Sequence, residues 1–301
     1  MHGMEESLMK VQESVQMYCV KEDMRDGDGK NFKMGFEDWD IIGQGTASLT
    51  TIAAVVKQAE GDQYVTSSLV LPFIHTCMKS LAENGSIKQP WFGPANPRRE
   101  FPVSSAHESI KVARLSIRQD LEDRWVTNLN EDRKSFFLIA SLLDPRTKSL
   151  SFCDDKHFPT SWQREGHGFL AMEFKSFYSE IHDTEVDLPH QDASVHQPSA
   201  LSDLLGGSTS MDVDVDSVES ELNAYTRVQQ VPLDTDPLMW WKQHVQEFPR
   251  LARMARQHLA VPATSASPER LFSSVGLVKS DLRGSLLDTT LIDVMWAKQV
   301  P

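Results

Sequence analysis

The sequence predicts a mainly α-helical chain, and three features carry that expectation. Apolar residues recur at steps of three and four through much of residues 64–143 and 236–301, the spacing of one helix face. Prolines stand where helices would begin, at Pro237, Pro249 and Pro268, and proline suits the first helical position because its missing N–H would have no partner there anyway. Between the two patterned regions lies a stretch rich in Ser, Asp and Gly, which cannot bury enough apolar surface to offset the entropy of ordering it. The 301 residues leave room for two domains or one elaborated one.

Taken in order, "YVTSSLVLPFIHTCMKSLAENG" reads as a helix through Leu69, Ile74 and Met78 that ends at Gly85, with a kink available at Pro72. The β-branched residues of 65–71 leave a strand open as the alternative. In "SSAHESIKVARLSIRQDLEDRWVTNL", Ile110, Ala113, Ile117, Leu121 and Trp125 form an apolar stripe, with Arg114, Arg118 and Arg124 expected on a solvated face. The apolar run of "RKSFFLIASLL" ends at Leu143, after which Asp144 and Pro145 read as the cap and first residue of another helix. Further on, Asp236-Pro237 opens a helix with Leu238, Trp241, Val245 and Phe248 on one side. Pro249 opens the next, with Leu251, Met254, Ala255, His258 and Leu259 on a face. Ser267-Pro268 opens a third, and Asp288 caps a fourth that carries Leu291, Val294 and Met295.

The net charge of −13 is local: residues 180–236 hold thirteen acids and one base, Arg227, so the rest of the chain is nearly neutral. Global acidity therefore says little about phosphate contacts elsewhere. No run of eighteen apolar residues occurs and the N-terminus lacks the order of a secretory signal, so neither membrane nor export is expected. Cys19, Cys77 and Cys153 are widely spaced and read as reduced, buried thiols. His182, His190 and His196 have no metal-ligand spacing, and no metal site is expected. No P-loop, dinucleotide fingerprint or nucleophile elbow occurs.

The stretch "DPLMWWKQHVQEFPRLARMARQHLAVPATSASPERLFSSVGLVKSDLRGSLLD" resembles the C-terminal dimerisation region of hAT (hobo-Activator type) transposases and their BED-finger relatives. The marks of that region here include Pro262, Ser265, Glu269, Arg270, Phe272, Ser273, Gly276 and Arg283. Weaker echoes, "EDWDII", "QYVTSSLVLPFI", "ASLLDPRTK" and "ALSDLLG", extend the likeness upstream. The resemblance implies helical insertion-type segments followed by a C-terminal helical unit like the last part of a ribonuclease H-like transposase fold. It divides the chain into an N-terminal segment 1–35, a region 36–182 like the hAT insertion domain, an acidic flexible linker 183–217 and the dimerisation region 218–301. Within that linker the alternative to a plain spacer is that "LSDLLGG" docks a partner.

The family's catalytic fold holds divalent metal on three acids, and Glu269 matches the third. The other two, like the BED finger, belong to segments upstream of those present, so the chain reads as a truncated member. One glutamate cannot hold two ions about 4 Å apart, and with Ser267 as cap and Pro268 following, Glu269 falls in a first turn where an anion favours the helix dipole. Pro268 stands where the family commonly has Ser. The expectation is a non-catalytic protein with no cofactor, Mg entering only if the missing segments are supplied. It would associate with itself or a related hAT-type protein through Leu238, Trp241, Leu251, Phe272, Leu291 and Val294, most of which must also serve the internal core. DNA contact is expected to be indirect or weak, and the resemblance implies the nucleus. The alternatives are a fragment of an active transposase and a domesticated regulator that meets DNA through partners.

Overall fold

The computed structural model describes residues 35–61, 63–89, 98–184, 215–266 and 269. These fold mainly into helices, as the periodicity predicts: α1 (Phe36–Ala59), α2 (Val70–Ser80), α3 (Glu108–Glu122), α4 (Glu131–Leu143), α5 (Ser161–Thr184), α6 (Val215–Arg227), α7 (Pro237–Gln243) and α8 (Pro249–Leu259). A two-stranded antiparallel hairpin, β1 (Ser86–Gln89) and β2 (Arg99–Pro102), pairs Ile87 with Phe101.

The main core is built around α4, whose Leu138, Leu142 and Leu143 are fully or almost fully buried. Against them pack Leu71 of α2, Leu170 and Phe174 of α5, Tyr225 of α6, Trp240 and Trp241 of α7, and Leu251 and Met254 of α8. Helices from both sides of the acidic segment thus share one hydrophobic interior. Gly166 lets α5 come close to α4: a Cβ there would lie 3.3 Å from Leu142 Cδ1 and Leu150 Cδ1. A smaller cluster, Ala47, Ile87, Val103, Ala106 and Ile110, joins α1, the hairpin and α3.

Several local expectations change. The helix expected to reach Gly85 stops at Ser80, and Ser86 then starts β1. Pro72 causes no kink because it sits in the first turn of α2, where its missing N–H breaks no bond. Residues 65–71 form no strand; a 3₁₀ turn at Ser67–Leu69 leads into α2. Ala113 is exposed, and Arg114, expected on the solvated side, is buried, its Nη2 donating to the Ser80 carbonyl at 2.7 Å. A guanidinium at a helix C-terminus meets carbonyls with no helical partner, which is why α3 turns this base inward toward the end of α2. Asp144 closes α4, and although its carboxylate accepts the N–H two residues on, as a cap would, only a turn over 145–149 follows. The carboxylate accepts the Arg146 N–H at 2.9 Å, the Arg146 guanidinium at 2.7 Å and the Ser68 hydroxyl at 2.5 Å. Helices α5 and α6 run a little into the expected linker, to Thr184 and from Val215, and residues 185–214 lie outside the described residues.

In the C-terminal part the helix starts hold, but α7 stops at Gln243, short of Val245 and Phe248, and the face expected to carry Leu238, Trp241, Val245 and Phe248 splits, with Trp241 and Phe248 buried and the other two half-exposed. Asp236 caps α7, accepting the Leu238 N–H at 2.8 Å, with Pro237 first in the helix, and Pro249 opens α8. The inward face of α8 is Leu251, Met254, Ala255 and Leu259, as the spacing predicts.

Candidate interface and the position of the family acid

The last helical bond of α4 is the one to Ala140 O, and the chain supplies a partner for each of the next three carbonyls. Ala140 O accepts the Asp144 N–H and Ser141 O the Thr147 hydroxyl. Leu142 O accepts the Tyr225 phenol and Leu143 O the Trp241 indole, each at 2.8 Å. The aromatic residues of α6 and α7 therefore enter the interior as hydrogen-bonded anchors, with Tyr225 and Trp241 rings 5.1 Å apart. A carboxylate works the same way at the start of α8. Glu221 Oε1 accepts the N–H of Arg250 at 3.0 Å and of Leu251 at 2.8 Å, filling the role of a cap from a different helix. Burial pushes its carboxyl above the usual range, while these two N–H groups and the Arg250 charge oppose that.

Three stretches that each carry part of the family resemblance meet at a single junction. In "YVTSSLVL", Thr66 Oγ1 accepts the Ala263 N–H at 2.9 Å, the Ser67 hydroxyl donates to His258 O at 3.0 Å, and the Ser68 hydroxyl donates to Asp144. Consecutive hydroxyls thus tie the start of α2 to the "PATS" segment, to the end of α8 and to "LLDPRT". Family resemblance pointed to these stretches; nothing in their local pattern said that they touch.

Of the expected interface residues, Leu251 is fully buried and Trp241 is 5% exposed, so both serve the internal core. Leu238 is 48% exposed and Val245, seven residues on and just past the end of α7, 46%. With the edge of Trp241 and Ala252 they line an open groove of ≈ 750 Å³. Its polar positions, among the described residues, are Lys242, Arg253 and Arg256, all basic. Phe272, Leu291 and Val294 lie outside the described residues, as do Arg270, Ser273, Gly276 and Arg283.

Glu269 is exposed. Its N–H bonds Ser265 O at 3.1 Å, a helical i to i−4 bond, and its carboxylate accepts the Ser265 hydroxyl at 2.5 Å. The turn therefore begins at Ser265, two residues before the expected cap; Ser267 and Pro268 lie outside the described residues. Ser265 can start the helix because its carbonyl takes the first helical bond while its hydroxyl holds the Glu269 side chain. Pro262 is exposed beside it.

The thiols of Cys77 and Cys153 are buried and inert, pushed up to about 11 and about 12, mainly by desolvation. A constellation absent from the sequence reading is His75, Asp154 and His157, whose ligand-type atoms lie within 4.8 Å of one another. The Asp-x-x-His spacing of its second and third members was a usable signal; the first, 79 residues upstream of Asp154, was not.

Residues 220–300 match the hAT family C-terminal dimerisation region. No curated protein matches the chain. Helices α7 and α8, the groove between them and the Ser265–Glu269 turn all fall inside that match. The C-terminal segment of the chain, and with it α7, α8 and their groove, is thus similar to the dimerisation region of the hAT family.

Proposed function

We propose that this is a non-catalytic, transposase-derived protein that associates with a second copy of itself, or with a related hAT-type chain, through the α7–α8 groove. The observation that carries the reading is the pair of half-exposed apolar side chains, Leu238 and Val245, beside that groove within the dimerisation region. Large apolar groups left on an open concave surface favour a protein partner. Charge supports a second copy: Lys242, Arg253 and Arg256 offer a basic rim to the acids that the chain concentrates in residues 180–236. Among the described residues, the expected interface residues that reach this groove are Leu238 and Trp241, while Leu251 supports it from within the core.

The non-catalytic part rests on Glu269. Strand transfer by two metal ions needs carboxylates from separate elements. Within these 301 residues Glu269 is the only position matched to the family's three acids, and its carboxylate is engaged by Ser265. The likeness to a ribonuclease H-type fold and a nuclear location belong to this same reading.

Sedimentation equilibrium of the purified chain across a concentration range tests the association. The expected result is a reversible dimer, with Leu238→Glu plus Val245→Glu raising its dissociation constant about tenfold or more. A strict monomer at tens of micromolar overturns it. Nicking of duplex DNA with magnesium or manganese that disappears in Glu269→Gln would replace the non-catalytic reading with that of a transposase fragment.

A further inference from the structure

We propose that His75, Asp154 and His157 form a structural site for one divalent transition-metal ion, Zn²⁺ fitting best, which clips α2 to the connection between α4 and α5. The site stands on geometry separate from the groove and from Glu269. His75 projects from the middle of α2, while Asp154 and His157 lie in the turn 152–158. His75 Nε2 is 3.1 Å from Asp154 Oδ2, and His157 Nδ1 is 3.3 Å from the same oxygen. Four ligands placed tetrahedrally about zinc at its usual bond lengths are about 3.3 Å apart, so two of the three spacings already suit the ion. The imidazole rings stand at 80° with centroids 4.9 Å apart, so their nitrogens approach the shared oxygen from different directions.

The turn is braced. Phe152 and Phe158 are buried in the main core on either side of it, in edge contact at 5.9 Å. Asp155 adopts a left-handed conformation (φ 63°), and its N–H bonds Phe158 O at 2.9 Å, closing the loop. Asp154 Oδ1 accepts the N–H groups of Lys156 and His157, each at 3.1 Å, which orients the carboxylate and leaves Oδ2 to the two histidines. Such outer contacts on a ligating carboxylate fix its direction, as metal sites require.

The donor set is two imidazoles and one carboxylate, with the His157 side chain 8% exposed, His75 17% and Asp154 34%. The more open side at Asp154 leaves room for water as a fourth ligand. Imidazole nitrogens and a single carboxylate select zinc and its first-row neighbours over magnesium or calcium, which prefer all-oxygen sites. With His75 and Asp154 separated by 79 positions, an ion bound here would stabilise the folded chain by binding it and not the unfolded one.

The test is titration of the full chain, stripped with EDTA, with zinc chloride by calorimetry, together with thermal unfolding with and without zinc. One zinc per chain and a rise in Tm are expected. Asp154→Asn, which keeps size and shape, and His157→Gln should each weaken zinc binding at least about tenfold with far-UV circular dichroism unchanged. The pair His190→Gln and His196→Gln, which are not among the three proposed ligands, should leave binding intact. Absence of saturable binding up to millimolar zinc overturns the site, as does one-to-one binding that survives Asp154→Asn and His157→Gln or is lost with His190→Gln and His196→Gln. Should His157→Gln fail to fold, Asp154→Asn alone decides.

Discussion

The two apolar cores differ less in composition than in how their polar atoms are treated. Around α4 the buried polar groups are paired across the fold: Asp144 with Arg146 and Ser68, Tyr225 and Trp241 with the last carbonyls of α4, Glu221 with the start of α8. In the lobe of α1, the hairpin and α3, four buried nitrogens have no hydrogen-bond partner: Trp39 Nε1, Gln89 Nε2, Arg114 Nε and Arg118 Nε. Each such group costs about 1–3 kcal/mol relative to a satisfied one. The same lobe buries only a handful of apolar side chains, with Ile87 at its centre. Burial by itself does not make a region firm. The α4 core is the cooperative centre because its polar groups are satisfied from distant segments, whereas the hairpin lobe is the part expected to open first.

The largest effect expected from breaking this contrast is in the α4 core. Asp144→Ala removes the partner of Arg146, which is 8% exposed, and should cost about 3–5 kcal/mol of unfolding free energy in urea titrations. A loss under 1 kcal/mol would mean that the pair is not the lock described here. Next, Ile87→Ala in the hairpin lobe should cost about 2–4 kcal/mol. Hydrogen exchange followed by mass spectrometry should then speed up in residues 86–110 while protection in α4 stays within twofold. Uniform loss across both regions would join the lobes into one cooperative unit.

A smaller effect is expected at the start of α8. Glu221→Ala strips the two N–H groups of their acceptor and should cost about 1–2 kcal/mol, while Glu221→Gln keeps an acceptor and should recover part of it. Equal losses for the two variants would make the charge, and not the cap, responsible. The smallest effect concerns Lys148, whose ammonium lies over the Tyr225 ring at 4.4 Å and donates to Tyr225 O at 2.6 Å. Desolvation lowers it to about 8. A base depressed in the folded state binds fewer protons there than when unfolded, so its contribution is most favourable above about 10.5 and is lost as pH falls through about 8. The stability gap between the wild type and Lys148→Gln, measured by urea unfolding at several pH values, should therefore shift in favour of the wild type as pH rises from 8 to 10.5. A flat difference would sink the assignment.

Much of the fold was legible residue by residue. Asp236 and Pro237 announced α7, Pro249 announced α8, and the spacing of Leu251, Met254, Ala255 and Leu259 gave the buried face. At Asp144-Pro145 the same grammar misled: the carboxylate accepts the N–H two residues on, as a cap does, and also holds the Arg146 guanidinium and Ser68, 76 positions away, but a turn and not a helix follows. The hairpin was missed because "SIKQ" and "REFP" carry no alternating apolar pattern strong enough to announce strands. For the candidate interface residues, the sequence did not divide core from surface. Trp241 faces α4 through its indole, while Leu238, three residues earlier, faces out.

What the sequence determined by itself is what depends on neighbours within a turn: helix existence, caps, the inward face of α8, and the C-terminal motif that marks the dimerisation region. Only the tertiary structure decided which charges are buried, which aromatic side chains are anchors, and that His75 meets Asp154 and His157. The reason is one of range. Caps and stripes are written in steps of three or four residues, but the partners of Arg114, Glu221, Ser68 and His75 lie 34, 29, 76 and 79 positions away, and no local pattern encodes which distant surface folding brings to them.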